Sequence, residues 1–318
     1  MQIDVFNGDA DGICALIQLR LAHPTKSQLV TGLKRDIQLL EDVKVQPGDE
    51  VTVLDISFQK NRESVDRLLG EGASVFYVDH HQQGEILEHK HLKTLIDTDP
   101  NTCTSLIVNN YLEGKFHEWA IVAAFGDNLN EAATKSAYPL SLSNNQLEQL
   151  KMLGNCINYN SYGSSLADLH FAPDLLYKEL LPYSSPFDFI AENEEVYEKL
   201  LAGYSDDMVK AGHITAEYKT DKVAVFILPD ETWSRRVSGV MSNDLANKHP
   251  DRAHAVVSYN SQKNYQISVR APLNNKIGAD ELCSSFPGGG GRKSAAGIND
   301  LAVADLAKFT TTFEQMYK

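Results

Sequence analysis

Short apolar runs alternate with longer amphipathic segments along the first half of the chain. The amphipathic segments, such as residues 13–21 and 61–69, have the periodicity of helices. The apolar runs have the length and composition of buried strands, and they lie at residues 3–6, 29–32, 51–56 and 75–78. Alternating strands and helices predict crossover connections and a mainly parallel sheet. Because a polar residue or a glycine follows each run, we expect the chemistry at the carboxyl ends of the strands.

The second half of the chain is less regular before it returns to an alternating pattern. Residues 143–203 have a helical pattern, with Pro173, Pro182 and Pro186 as interruptions. From about residue 217 the pattern predicts a strand at 223–228, a helix at 237–247, paired strands at 255–259 and 265–270, a glycine-rich loop and a closing helix. We therefore expect an α/β protein, with a parallel-sheet domain at 1–190, a helical linker at 191–216 and a smaller α/β substrate-binding domain at 217–318.

The charge of the chain limits the class of ligand that it can take. There are 43 acidic and 29 basic residues, which give a formal net charge of −14. Such a surface repels a long polyanion, so we expect no long duplex nucleic acid as a partner and a short phosphate compound instead.

Cysteine spacing and hydropathy add expectations about the compartment. The four cysteines lie far apart without a CxxC pair, so neither a zinc site nor a disulfide framework is predicted. The first residues predict a strand, and no apolar stretch approaches the roughly 18 residues of a membrane helix. We expect a cytoplasmic protein without a membrane partner.

Acidic residues and histidines follow several of the predicted elements. Asp9 and Asp11 lie in the turn Asn7-Gly8-Asp9-Ala10-Asp11-Gly12 after the first run, which taken alone is more typical of an acidic surface turn. Asp55 ends the third run and could instead cap a helix. Three further candidates, Asp79, His80 and His81, end the fourth run, and Asp127 follows the helix-like segment 119–125.

Together these positions predict a metal site at one rim of the sheet. Its ligands would be Asp9, Asp11, Asp55, His80 and Asp127. Carboxylates combined with imidazole suit two divalent cations, with Mn²⁺ preferred over Mg²⁺, and a pair of such ions supports phosphoryl transfer to water.

The motifs NGDADG, LDIS, VDHH, GDN, SVR and GGGGRKSAAG occur in an order that resembles the DHH phosphoesterases with their associated C-terminal domain. That family includes single-strand exonucleases, nanoRNases, linear-dinucleotide phosphodiesterases and the related family II pyrophosphatases. The resemblance implies that Asp9 and Asp55 hold a first metal, and that Asp11, Asp55, His80 and Asp127 hold a second. It also implies catalytic roles for two residues: Asp79 orients the neighbouring imidazole, and His81 meets the scissile phosphate or its leaving group.

Asn7 departs from the family pattern, which usually has a histidine at this position. We expect the Asn7 amide oxygen to ligate the first metal, or nearly so, and to make the site depend on added Mn²⁺ or Mg²⁺.

Substrate contacts are expected from the second domain. Gly289, Gly290 and Gly291 would let backbone N–H groups approach a phosphate, and a helix start after the loop would favour an anion. Arg292 stands where the family usually has a histidine, and it could grip a terminal phosphate or a guanine edge. Further candidates are Ser268 and Arg270, which share one face of a strand, and Arg235 and Arg236, which could equally be a solvated helix start.

These expectations combine into a metal-dependent phosphodiesterase that cuts short linear oligonucleotides, preferably dinucleotides such as pGpG or pApA, to mononucleotides. A pAp-type phosphomonoesterase, a pyrophosphatase or exopolyphosphatase, and a nucleotide-binding regulator without catalysis are the alternatives. The sequence leaves the oligomeric state, including a homodimer, open.

Overall fold

The computed structural model describes residues 1–86 and 88–318 and divides into two compact units. The first unit contains Met1–Ser161 and His170–Leu201, and the second contains Tyr162–Leu169 and Ala202–Lys318. The boundary near residue 201 falls inside one helix, Glu194–Gly212.

A five-stranded sheet forms the centre of the first unit. Its strands are β1 (Gln2–Phe6), β2 (Ser27–Thr31), β3 (Glu50–Leu54), β4 (Ser74–Asp79) and β5 (Leu92–Ile96). They lie in the order β2-β1-β3-β4-β5, and every neighbouring pair is parallel. All five carboxyl ends therefore meet at one edge of the sheet.

Nine helices begin in the described part of the first unit. They are α1 (Ala10–Ala22), α2 (Phe58–Gly70), α3 (Thr104–Tyr111), α4 (His117–Gly126), α5 (Asn130–Ala137), α6 (Asn144–Tyr159), α7 (Pro173–Leu180), α8 (Pro186–Glu192) and α9 (Glu194–Gly212). Their starts follow ordinary capping rules: Ser143 and Gln146 form a capping box at α6, and proline opens α7 and α8.

Burial of apolar side chains on the sheet explains why these runs form strands. Val53 of β3 and Tyr77 of β4 are fully buried in one cluster with Val65 and Leu68 of α2. The successive residues Val53 and Leu54 are both buried, so both faces of the central strands are covered. This is the environment of a parallel sheet, and it accounts for the near-continuous apolar runs.

The second unit contains a six-stranded mixed sheet. Its strands are β6 (Tyr218–Lys219), β7 (Val223–Ile227), β8 (Ala253–Tyr259), β9 (Tyr265–Arg270), β10 (Gly289–Gly291) and β11 (Ala295–Leu301), and its helices are α10 (Thr232–Lys248), α11 (Ala279–Ser284) and α12 (Leu306–Met316). The order is β10-β11-β9-β8-β7-β6, with β7 and β8 parallel and the other pairs antiparallel. Val257, Ile267, Phe309 and Phe313 lie in its core.

The predicted fold class is confirmed, with one local error. The α/β architecture, the parallel N-terminal sheet and a second, smaller unit are as the sequence indicates. The helix start predicted after the glycine-rich loop is wrong, because Ala295–Leu301 is strand β11 and pairs with β9. Among the described residues, we find no helix that is both long and apolar enough to span a bilayer.

Helices α4 and α6 approach each other through two glycines. A Cβ atom added at Gly154 would lie 2.2 Å from the Val122 carbonyl oxygen and 2.9 Å from the Gly126 backbone nitrogen. A Cβ at Gly126 would lie 2.5 Å from the Cβ of Ala10. These are distances to backbone or to a short side chain, so the helices must move apart to accept any larger residue.

We predict that Gly154→Ala destabilises the first unit by about 1–3 kcal/mol, because the new methyl group overpacks a backbone contact. The matched control is Gly70→Ala at the end of α2, where nothing lies within 4 Å of the added Cβ. It should change the free energy of unfolding by no more than about 0.5 kcal/mol, or stabilise slightly. Urea unfolding followed by Trp119 fluorescence in a Trp233→Phe background measures both. Equal effects of the two substitutions would contradict the close-contact argument.

Candidate metal centre

The turn after β1 fixes Asp9 as the N-cap residue of α1. Its Oδ1 accepts hydrogen bonds from the backbone N–H groups of Asp11 and Gly12, both at 3.0 Å. This capping preference explains why an aspartate begins the helix. The side chain is nevertheless buried, with 2% of the residue exposed, so its second oxygen faces the interior of the site.

Asp11, in the first turn of α1, faces the start of another helix. Its two carboxylate oxygens accept the N–H groups of Thr104 and Ser105, each at 2.7 Å. These residues open α3, where unpaired amides and the helix dipole favour a negative charge. Each oxygen retains a further lone pair, so this arrangement orients the carboxylate without removing it as a ligand.

Asp55 has a left-handed backbone directly after β3. Its φ is 59°, which few residues other than glycine, asparagine and aspartate adopt readily. The Thr104 hydroxyl donates a hydrogen bond of 3.1 Å to its Oδ1. Uncommon backbone conformations concentrate at functional sites, and this one holds a buried carboxylate at the edge of the sheet.

His80 presents one ring nitrogen to the carboxylates. Its Nδ1 lies 3.0 Å from the carbonyl oxygen of Thr102, which can only accept, so Nδ1 carries the proton. The other ring nitrogen, Nε2, lies 3.3 Å from Asp55, 3.7 Å from Asp127 and 3.8 Å from Asp11. A histidine ligand oriented by a backbone carbonyl has this arrangement in metal sites.

His81, the next residue, has a different environment. Its Nδ1 lies 2.7 Å from Asp79 Oδ1, and 30% of its side chain is exposed, against 2% for His80. Asp79 is itself fixed, because it accepts the N–H groups of His80 and Phe58 at 2.9 and 3.1 Å. His81 is thus oriented by a buried carboxylate and open to a ligand from solvent.

Asp127 reaches the centre from the C-terminal end of α4. It follows Gly126, whose backbone packs against Ala10, the residue between Asp9 and Asp11. Its Oδ1 lies 3.3 Å from the Lys34 ammonium. The turn therefore brings the GDN and NGDADG segments into direct contact.

Burial of several carboxylates together raises their pKa values. Burial raises the pKa of Asp11 from 3.8 to about 6, and the nearby charges of Asp127 and Asp9 add to this effect. Burial also raises the pKa of Asp55 well above its ordinary value, with Asp11 as the largest charge contribution. The positive charges of the protein therefore do not fully neutralise the buried acids of the site.

The donor set fits divalent cations. Two groups of ligand atoms lie within 4.8 Å of one another: one from Asp55, His80 and His81, the other from Asp11, His80 and Asp127. Carboxylate oxygens with one or two imidazole nitrogens suit Mn²⁺ or Mg²⁺. When bound, such ions polarise phosphoryl oxygens and lower the pKa of water.

The site includes residues that the sequence analysis did not identify. Lys34, after β2, donates to Asp9 and lies 3.1 Å from the Asn158 side-chain oxygen. Thr104 contacts both Asp11 and Asp55. Lys34 follows a strand at the same rim as the acids, and this position is the signal that could have identified it.

The structure places Asn7 beside the acids but within the hydrogen bonds of its own loop. Its Oδ1 accepts the Asp9 N–H at 3.2 Å, and its Nδ2 donates to the Lys34 carbonyl oxygen at 3.2 Å. Its role as a metal ligand stays a prediction.

In the second unit, Ser268 and Arg270 lie on β9, and the Arg270 Nε donates to the Asn243 side chain at 2.7 Å. Arg235 and Arg236, which we predicted to contact substrate, are both paired with acids. Arg235 makes two contacts of 2.8 and 3.0 Å with Asp168, and Arg236 donates to Asp207 at 2.8 Å. Their part in substrate binding is untested.

The glycine-rich segment is a β-hairpin. Arg292 and Ala295 exchange backbone hydrogen bonds of 2.8 and 3.2 Å across the turn. A Cβ at Gly289 would lie 1.9 Å from the Cys283 carbonyl oxygen, and one at Gly291 would lie 2.5 Å from the Ala296 Cα, whereas Gly290 has nothing within 4 Å. Of the three predicted phosphate-approach glycines, Gly289 is therefore required by its contact with α11 and Gly291 by its contact with β11.

The raised pKa of Asp11 predicts the pH dependence of the protein with metal removed by a chelator. A carboxyl group whose pKa rises on folding contributes most stability below 3.8, and the contribution is lost as pH rises through about 6. Between pH 5 and 7 this group should lower the free energy of unfolding by about 1–3 kcal/mol. Comparing urea unfolding at both pH values in the wild type and Asp11→Asn isolates the effect. Added Mn²⁺ should stabilise more at pH 7 than at pH 5, and an identical pH slope in the variant would contradict the prediction.

Comparison with known proteins finds similarity of structure. No family model and no curated protein sequence matches the chain. A crystal structure of exonuclease RecJ bound to manganese has a TM-score of 0.60 at 16% identity, covering 99% of this chain and 89% of that one. RecJ from Thermus thermophilus in complex with Mn²⁺ has a TM-score of 0.64 at 17% identity, covering 99% of this chain, which spans 51% of that RecJ.

A third similar structure is closer to this chain in length. The pGpG-specific phosphodiesterase PggH from Vibrio cholerae has a TM-score of 0.54 at 14% identity, covering 99% of this chain and 98% of its own. At these identities the likeness concerns the fold. The fold of this chain is therefore that of RecJ and PggH, the fold of the DHH phosphoesterases that its motifs resemble.

Proposed function

We propose that the chain is a metal-dependent phosphodiesterase that hydrolyses short linear oligonucleotides to mononucleotides, with dinucleotides such as pGpG or pApA as preferred substrates. The observation that carries the proposal is the convergence of Asp11, Asp55 and Asp127 on His80 Nε2, with contacts between 3.3 and 3.8 Å. His81 lies beside them with an exposed edge. These residues would hold divalent metal, which when bound would polarise a phosphodiester and lower the pKa of a water molecule for its hydrolysis.

His81 is the candidate general acid. Asp79 lies 2.7 Å from Nδ1 of His81 and orients the ring, so Nε2 is the nitrogen that would donate a proton to the leaving oxygen. His80 keeps its proton on Nδ1 toward Thr102, so it serves as a ligand and not as a proton donor. The two adjacent histidines therefore have separate tasks.

Two observations favour a short substrate. The net charge of −14 opposes binding of a long polyanion. Among the similar structures, PggH is a pGpG-specific phosphodiesterase, and the chain covers 98% of it, against 89% and 51% of the two RecJ structures. The proposed substrate contacts of the second unit are Arg270, Arg292 and Ser268, and the proposed ligand is a short nucleotide.

The test of the function is hydrolysis of a substrate ladder with Mn²⁺. It contains pGpG, pApA, oligonucleotides of increasing length, pAp and inorganic pyrophosphate, and products are separated by chromatography. We expect two mononucleotides from each dinucleotide and slower turnover as the strand lengthens. Phosphate release from pAp or pyrophosphate alone, with dinucleotides intact, would instead support the phosphomonoesterase or pyrophosphatase. Dinucleotide binding without turnover at saturating Mn²⁺ would support the regulator.

Asp55→Asn should reduce turnover of the best dinucleotide by about 100-fold or more, because the substitution removes a proposed metal ligand. Loss of a residue that only hydrogen-bonds to a metal ligand already costs about 10- to 100-fold in metal affinity or activity. Asparagine keeps the size of the side chain and tolerates the left-handed backbone at this position, so the fold should persist. The matched control, Asp66→Asn, removes an exposed aspartate of α2 that pairs with Arg62. Turnover of the control should match the wild type, and an active Asp55→Asn would remove the basis of the proposal.

A further inference from the structure

A lysine lies inside the acidic cluster of the first unit. The Lys34 Nζ donates to Asp9, and it lies 3.3 Å from Asp127 Oδ1 and 3.1 Å from Asn158 Oδ1. An ammonium group has three N–H donors, and the side-chain oxygens of Asp9, Asp127 and Asn158 are three acceptors for them. The side chain is 22% exposed, so the charge is held at the edge of the centre and largely out of water.

The backbone of Lys34 is fixed on both sides. Its N–H donates to the Ser161 carbonyl oxygen at 3.0 Å, and its own carbonyl oxygen accepts the Asn7 Nδ2 at 3.2 Å. Asn7 thus binds the very residue whose ammonium contacts Asp9. A neutral imidazole at position 7 also has one donor and one acceptor, but its rigid ring points them in different directions from those of the amide, whose two groups here join Lys34 to the Asp9 backbone.

The oxygens of Asp9 are already engaged. Oδ1 accepts the two amides at the start of α1, and Oδ2 accepts Lys34. A dication bound to Asp9 would lie close to the ammonium, and like charges at that separation repel strongly. Asp11, Asp55 and Asp127 meet around His80 Nε2, and Asp127 turns its Oδ2 to this imidazole and its Oδ1 to the ammonium.

We propose that this chain binds one divalent cation, through Asp11, Asp55, His80 and Asp127, and that the Lys34 ammonium replaces a second cation at Asp9. This inference rests on the proposed phosphodiesterase site and specifies which positive charges that site contains. Asn7 is then a positioning residue for Lys34 and not a ligand. The lysine supplies a permanent positive charge beside the phosphate, whereas the single cation supplies the Lewis acid.

The experiment measures Mn²⁺ stoichiometry without substrate. Purified full-length chain is saturated with Mn²⁺, freed of excess ion, and examined by elemental analysis and electron paramagnetic resonance. We expect one Mn²⁺ per wild-type chain with the six-line spectrum of an isolated ion. The double variant Asn7→His with Lys34→Ala should bind two ions and show a spectrum broadened by coupling between them. Asn7→His alone should still bind one, because the ammonium remains.

Lys178→Ala is the matched control, since it removes a surface lysine paired with Asp174 in the same unit. It should bind one ion, like the wild type. Two ions on the wild-type chain would overturn this inference and leave the proposed function intact, and no bound ion would overturn both. A double variant that folds by circular dichroism but still binds one ion would overturn the role of Lys34. The wild-type result decides the stoichiometry even if that variant does not fold.

Discussion

The repulsion among buried carboxylates is the constraint on which the rest of the centre depends. Parallel strands bring their carboxyl ends to one edge, and Asp9, Asp11, Asp55 and Asp127 meet there with little water. Each is held by donors of the protein itself, including backbone amides at helix starts and a threonine hydroxyl. The amides and the hydroxyl orient the carboxylates without supplying net charge, and the Lys34 ammonium beside Asp9 and Asp127 offsets part of the negative charge, so the site favours further cations.

Different hydrogen-bond partners give two neighbouring histidines different chemistry. The Thr102 carbonyl accepts from Nδ1 of His80 and directs its Nε2 toward the acids, while Asp79 orients the ring of the more exposed His81. The sequence places both rings after β4, but only the partners on other segments decide their protonation. Under the proposed function, the VDHH segment would combine a metal ligand and a proton carrier in two adjacent residues.

Much of the fold and of the acidic rim could be predicted from the sequence, because buried parallel strands are continuous apolar runs whose ends converge. β5 was not predicted, since its polar Lys93 and Thr94 and its partial burial resemble a loop. The hairpin of β10 and β11 was interpreted as a phosphate loop with a helix because glycines serve both purposes. The acids that pair with Arg235 and Arg236 are distant from them in sequence, so no local pattern indicates these pairs.

The contact between Gly126 and Ala10 fixes the spacing between Asp127 and the acids of α1, although neither contact residue carries a charge. A larger residue at either position would push the α4 terminus away from the first turn and widen the gap between Asp127 and Asp11. In the proposed cation site, selectivity among ions of different radius would then depend on the size of the uncharged residues that pack behind the ligands. A search for variants with altered metal preference should therefore begin at these two small residues.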